Sequence, residues 1–316
     1  ALSVLLGPLF VLFVGFFSAA GRPLTAFYSL LERPQGPGLR RRSRWDTYVE
    51  RLMTSEIPED RRRLFLGFHA TEDYPIQIPL DVLTEHVHVL GSSGSGKTAR
   101  AMAPLMSQLI RRTDAPVVIL DLKGDMALFE NARREALAQD PPRTFKWFTT
   151  SVGKSTYAFN PFQTFSSESV SLNQACALVL DALQLEHGAG YGRSYFSRMA
   201  RLWLTRTLQR HPNVGSFAEL RALTGHEHFS SDKERQDAGE LLSVIELMAS
   251  YGPLNLVPGA AAQSDVVENA IHMPDVVRNG EVVYFYLPAA RESASVREIA
   301  NLALYCLLLS TIQHLE

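Results

Sequence analysis

The chain has 316 residues, room for one large domain or two modest ones, and its 46% apolar and 20% charged residues are an ordinary globular balance. A formal net charge of -2 carries no global electrostatic signal for nucleic acid. The 2 cysteines, Cys176 and Cys306, sit in apolar helical runs without partner spacing. That excludes a disulfide framework and reads as reduced core thiols, with the globular portion on the cytosolic side.

Residues Ala1–Ala20 carry no charge and are dominated by Leu, Val and Phe. About 20 helical residues span about 30 Å, so a transmembrane helix is predicted over 1–20, with Gly7-Pro8 tolerated inside it. Arg22, Arg33, Arg40, Arg41, Arg42 and Arg44 follow and place the remainder on the cytoplasmic side. A secretory signal would carry its positive charge before the apolar run. The arginines read as a topology determinant touching anionic lipid. Arg33–Gly38 reads as a linker within a juxtamembrane segment, 21–63, and Trp45–Arg63 as a short amphipathic helix near the membrane. Leu64–Ile78 reads as strand and turn.

The next stretch is Gly91-Ser92-Ser93-Gly94-Ser95-Gly96-Lys97-Thr98. It follows a run with strand character, His86–Leu90, and precedes a helical run from Ala99 to Arg112. This is the phosphate-binding loop pattern G-x-x-x-x-G-K-[ST] in strand–loop–helix context. Its glycines let successive N–H groups face the phosphates, and the helix adds its free N–H groups and positive end. The pattern assigns Lys97 to the β- and γ-phosphates of ATP and Thr98 to Mg²⁺. Pro104 predicts a kink in the helix.

Pro116–Asp121 is a continuous apolar run closed by Asp, the mark of a buried parallel strand. Leu122–Asp125 turns into a helix over Met126–Ala138. The alternation predicts a doubly wound α/β fold with a mostly parallel sheet, and ligands in such sheets lie at strand carboxyl ends. Asp121 then has two readings: part of the Mg²⁺ shell as a catalytic carboxylate, or a strand-end cap paired with Lys123. Thr144–Thr149 is a further strand and Phe159-Asn160-Pro161-Phe162 a turn.

From about Ser169 the pattern becomes helical: Asn173–Leu185, Tyr195–Gln209, Ser216–Leu223 and Lys233–Ala249. An all-α insertion is predicted over 166–255, between two parts of a nucleotide-binding domain, 64–165 and 256–316. Arg198 and Arg201, with Arg193 before them, read as a solvated face. His226-Glu227-His228 lacks a third ligand at helical spacing and reads as a polar loop. Glu281–Leu287 is a strand and Val296–Leu315 a helix. No second apolar run ends in Asp-Glu, and neither Glu292 nor Glu298 ends a strand, so neither suits the carboxylate that positions an attacking water.

The loop, Asp121-Leu122-Lys123-Gly124-Asp125, Asn160-Pro161-Phe162, Tyr195-Phe196 and Val283-Tyr284-Phe285, in this order behind an apolar segment, resemble the coupling-protein ATPases of type IV secretion and conjugation. These are related to the chromosome-segregation DNA translocases. The resemblance implies a RecA-like P-loop domain with an all-α insertion, anchored in the bacterial inner membrane as a homo-hexamer. It implies ATP hydrolysis coupled to delivery of single-stranded DNA, or of protein, to a secretion channel, with channel and relaxase-type proteins as partners. A neighbouring subunit's arginine would complete the site, with Arg291 and Arg297 as candidates. The family usually has two membrane helices where one is legible here, and its Asp-Glu strand is expected beyond Glu316. Two alternatives stand beside this: a membrane-tethered translocase for double-stranded DNA, and a nucleotide-binding scaffold without hydrolysis.

Overall fold

The computed structural model describes residues 43–112, 115–151, 153–165, 170–185, 193–257, 269–290 and 295–315. The chain divides into two units at Arg61/Arg62. In the first, α1 (Arg44–Met53) starts at Ser43, whose side chain accepts the Asp46 N–H at 3.1 Å. A single short turn, α2 (Pro58–Arg61), follows. Amphipathic character sits in α1, where Val49 and Leu52 are buried; Pro58 opens a separate element instead of extending the helix. Among the described residues no helix is long and apolar enough to cross a membrane. The predicted span 1–20, the linker 33–38 and the arginines from Arg22 to Arg42 lie outside the described residues.

The second unit opens with an antiparallel hairpin, β1 (Arg63–Phe68) and β2 (Pro75–Pro79), whose register shifts between Phe65 and Gly67. The helix behind the phosphate loop starts as a π-turn, Thr98–Met102, and continues as α3 (Ala103–Arg112). Pro104 explains the wide turn: it has no N–H for the carbonyl four residues back, and the backbone bonds Ala103 N–H to Thr98 C=O instead. The predicted kink is thus a π-bulge one turn earlier. Gln108 on α3, fully buried, ties the hairpin to this helix. Its Oε1 accepts the Phe65 N–H and its Nε2 donates to Phe65 C=O, both at 2.9 Å.

Three strands form the central sheet: β3 (Val117–Asp121), β4 (Phe145–Thr149) and β5 (Val282–Tyr286), all parallel, in the order β3-β5-β4. Asp121, Tyr286 and Thr149 stand in one row across its carboxyl end. Val282 and Tyr284 face a small core made with Met106 and Ile110 of α3, Phe145, and Ala132 and Ala136 of α4 (Met126–Leu137). Val283 and Phe285 face the other way. At the amino end the Arg143 guanidinium donates to Ile110 C=O at 2.8 Å, Ala115 C=O at 2.7 Å and Gly280 C=O at 2.5 Å, joining the ends of α3, β3 and β5. On the side of β3 away from β5, the amides of Val118 and Leu120 find no backbone partner among the described residues.

The other face of the sheet carries a layer of helices: α5 (Phe162–Phe165), α6 (Leu172–Ala182), α7 (Arg193–Arg210), α8 (Phe217–Ala222), α9 (Asp232–Asp237), α10 (Gly239–Ala249), α11 (Met273–Arg278) and α12 (Val296–Leu315). One core runs from Phe148, Phe159 and Phe285 through Leu180, Trp203, Phe217 and Ile245 to Ile299. Ser216 and Ser231 cap α8 and α9, each with a Glu three residues on. The long helix predicted at Lys233–Ala249 is interrupted at Ala238, which closes α9 and opens α10 beside the helix-weakening Gly239. Cys176 and Cys306 are free and lie in this core, and burial pushes the Cys306 thiol up to about 12.

One predicted strand is absent. His86–Leu90 forms no ladder among the described residues, and Val87 and Leu90 are exposed. A strand is defined by the neighbour it bonds, and alternating apolar residues supply no neighbour on their own. His86 also holds φ 70, a conformation that costs a β-carbon-bearing residue about 1–3 kcal/mol.

Candidate functional site

The phosphate loop wraps around its own lysine. Lys97 Nζ donates to Gly91 C=O at 2.6 Å and to Ser92 C=O at 2.8 Å. Gly96 has φ +81, in the left-handed region that suits glycine, and its carbonyl accepts the Arg100 N–H at 2.8 Å. A β-carbon on Gly91 would sit 2.7 Å from Ser95 Oγ and 3.2 Å from Lys97 Cγ. A side chain at Gly91 would push Ser95 and Lys97 aside. Its residues are exposed or half-buried, and Thr98 opens the π-turn at the helix start. A glycine-rich turn, a lysine folded onto it and a helix N-terminus behind it are the residue types that suit a nucleotide's phosphates, and the Thr98 hydroxyl suits a magnesium ligand.

Asp121 ends β3 and is only 7% exposed. Its Oδ1 accepts the N–H groups of Lys123 and Gly124, both at 3.0 Å. Its Oδ2 accepts the Asp125 N–H at 2.6 Å and the Tyr284 hydroxyl at 2.8 Å. Gly124 makes this convergence feasible: it has φ +72, and a β-carbon there would lie 2.7 Å from Pro288 Cβ. Asp125 continues the pattern as the N-cap of α4, accepting from Ala127 N–H at 3.1 Å and Leu128 N–H at 3.2 Å. The partners of Asp121 among the described residues are thus backbone amides and Tyr284. Lys123 reaches Asp125 instead, at 3.8 Å, and is largely exposed. No hydrogen bond or ion pair joins Asp121 to Lys97 or Thr98 among the described residues. Burial, then the bond to Asp121, pushes the Tyr284 phenol well above its usual range.

Tyr284 was not legible as a site residue, because nothing within Val283-Tyr284-Phe285 says which residue of another strand it meets. Only the parallel register sets its hydroxyl beneath the Asp121 turn. Asn160, of the Asn-Pro-Phe turn, is buried and holds segments far apart in sequence: its amide donates to Gly215 C=O at 2.7 Å and Leu256 C=O at 3.1 Å, while Oδ1 accepts the Phe162 N–H at 3.0 Å. The motif therefore ties the start of α5 to the segments at 215 and 256. Arg297 is exposed in the first turn of α12 and Glu298 half-buried; Arg291 and Glu292 lie outside the described residues. His226 approaches Asp232 at 3.3 Å, and no group of metal-ligating side chains forms among the described residues.

Residues 64–182 match the family model described as the central domain of the helicase HerA. The structure is similar to that of the bacterial conjugative coupling protein TrwBdeltaN70, solved in a trigonal form in complex with sulphate, with a TM-score of 0.53 and 15% sequence identity. The match covers 84% of this chain and 59% of that one, so the chain spans about three fifths of the coupling protein's length. No curated protein sequence matches. At that identity the likeness establishes the fold.

Proposed function

We propose that this chain, which carries the RecA-like ATPase fold of the type IV coupling proteins, is a membrane-anchored motor that couples ATP binding and hydrolysis to the delivery of single-stranded DNA, or of protein, into a secretion channel. The phosphate loop carries this reading: a glycine-rich turn whose Lys97 is bonded to the Gly91 and Ser92 carbonyls and which leads into a helix N-terminus. Lys97 would hold the β- and γ-phosphates, the amides of Gly91–Gly96 would line the chain of phosphates, and Thr98 would hold Mg²⁺, which supplies charge neutralisation at the γ-phosphate. To bind phosphate, the Lys97 ammonium exchanges two carbonyl acceptors for phosphate oxygens. Asp121 acts by fixing the turn at the carboxyl end of β3, as a positioning residue. The assembly is a homo-hexamer, with an arginine of a neighbouring subunit completing each site, and relaxase-type and channel proteins as partners. The apolar segment 1–20 anchors it in the bacterial inner membrane with the nucleotide domain in the cytoplasm.

The test is the Lys97→Ala chain. ATP binding should weaken at least about tenfold and turnover should vanish, since the variant removes the one side-chain cation of the loop. Unaltered ATP affinity and turnover would remove the loop from the mechanism.

A further inference from the structure

Beside the first two turns of α4, at the carboxyl ends of β4 and β5, lies a cavity of about 280 Å³. No residue of the phosphate loop lines it. Three of its walls are aromatic. Phe129 stands edge-on to both Trp147 and Tyr286, with centroids 6.2 Å away in each case and interplanar angles of 82° and 75°. Trp147 is fixed from behind: its Nε1–H donates to Ser155 C=O at 2.9 Å, and its ring packs on Tyr157 at 4.8 Å. Thr149, opposite Tyr286 in the parallel register, adds a hydroxyl whose oxygen accepts the Ser151 N–H at 3.1 Å.

The mouth is cationic. Lys154 Nζ stands over the Tyr286 ring, 4.7 Å from its centroid. Arg133 lies on the helical rim, 3.8 Å from Glu130, whose charge offsets it and leaves Lys154 as the net positive charge. Aromatic walls accept a flat ring, and an ammonium at the edge of the same walls accepts an anion one bond-chain away from that ring. An aliphatic tail would leave Lys154 unanswered, and a neutral aromatic side chain of a peptide would do the same. A nucleobase with its attached phosphate answers both features, and stacking on aromatic rings beside a cation is how single strands are gripped without sequence readout.

We propose that this cavity is a second nucleotide-recognition site, taking an unstacked nucleobase against Trp147 and Tyr286 with its phosphate on Lys154. The unit could come from a free nucleotide or from a single strand, and for the second source the proposal rests on the DNA reading above. The experiment uses the chain carrying Lys97→Ala, in which nucleotide binding by the phosphate loop is weakened. Tryptophan emission is followed while oligo-deoxythymidylate, an abasic oligomer of equal length, or AMP is added. Base-bearing probes should change the emission, the further Trp147→Phe substitution should remove that change, and the abasic oligomer should give none. Lys154→Glu, at an exposed position that does not threaten folding, should weaken the titration about tenfold or more. AMP titrating as tightly as the oligomer assigns the site to free nucleotides; a far tighter oligomer assigns it to single-stranded DNA. An emission change that the abasic oligomer reproduces, that survives Trp147→Phe, or that is indifferent to Lys154→Glu overturns the proposal, as does no change at all. ATP turnover by the unaltered chain separates the two readings. Turnover without a titration overturns this site alone, and a titration without turnover overturns the motor and leaves the site standing.

Discussion

Removing the Asp121 carboxylate takes the acceptor from three part-buried backbone N–H groups and leaves the Tyr284 hydroxyl only the Asp125 carbonyl at 3.5 Å. Each abandoned buried group costs about 1–3 kcal/mol, so Asp121→Ala should lose about 3–5 kcal/mol in denaturant unfolding. Asp121→Asn, which keeps one carbonyl oxygen, should lose less. Tyr284 makes the same contact visible to pH. Its folded pKa is raised, by burial first and by Asp121 second, while the unfolded phenol titrates near about 10. Above that pH the unfolded chain sheds this proton and the folded chain keeps it, so the stability contributed is fully present below about pH 10 and is lost as pH rises further. Wild-type stability should therefore fall more steeply between about pH 9.5 and 11 than that of Tyr284→Phe, measured by urea midpoints at each pH.

At the scale of elements, what matters is how the phosphate-loop helix is held. Gln108 bonds both backbone groups of Phe65, the way a neighbouring strand residue would, from inside a closed interface. Gln108→Leu strands a buried N–H and a buried C=O and should lower stability by about 2–4 kcal/mol; urea unfolding checks it. The Arg111–Glu135 pair, 2.5 Å from Nε to Oε2, and Asn131 with Ser107 at 2.9 Å clamp α3 to α4 from the other side. Much of this level was legible in the chain itself. Continuous apolar runs gave β3 and β5 to within a residue or two, because a strand buried on both faces has little room for polar side chains, and the aromatic-rich run Thr144–Thr149 gave β4. The loop and its lysine were legible because their chemistry is local: glycines, a cation and a helix start within eight residues. His86–Leu90 was misjudged for the opposite reason, since pairing is a property of two segments. The Gln108 tie and the break at Ala238 depend on what packs alongside, which spacing alone does not encode.

The molecule as a whole does not treat its helical layer as an appendage. The core that holds Phe148 and Phe285 of the sheet also holds Trp203, Leu204, Leu241 and Ile245, without a seam between them. We expect Trp203→Ala, at a site 2% exposed, to cost about 3–5 kcal/mol and to shift sheet and helix unfolding together. Far-ultraviolet dichroism and the emission of the remaining tryptophans should then give coincident transitions; separated ones would mark the layer as an independently folding part. The order of strands could not be foreseen: β5 lies between β3 and β4 although more than a hundred residues separate it from β4 in the chain.

The outward amides of Val118 and Leu120 belong to the segment Val117-Val118-Ile119-Leu120, which has no charge and no proline. A margin that is bare among the described residues is a template on which a foreign strand can settle, and β-branched residues strengthen the grip. In concentrated preparations of this polypeptide, that border is where aggregation would begin.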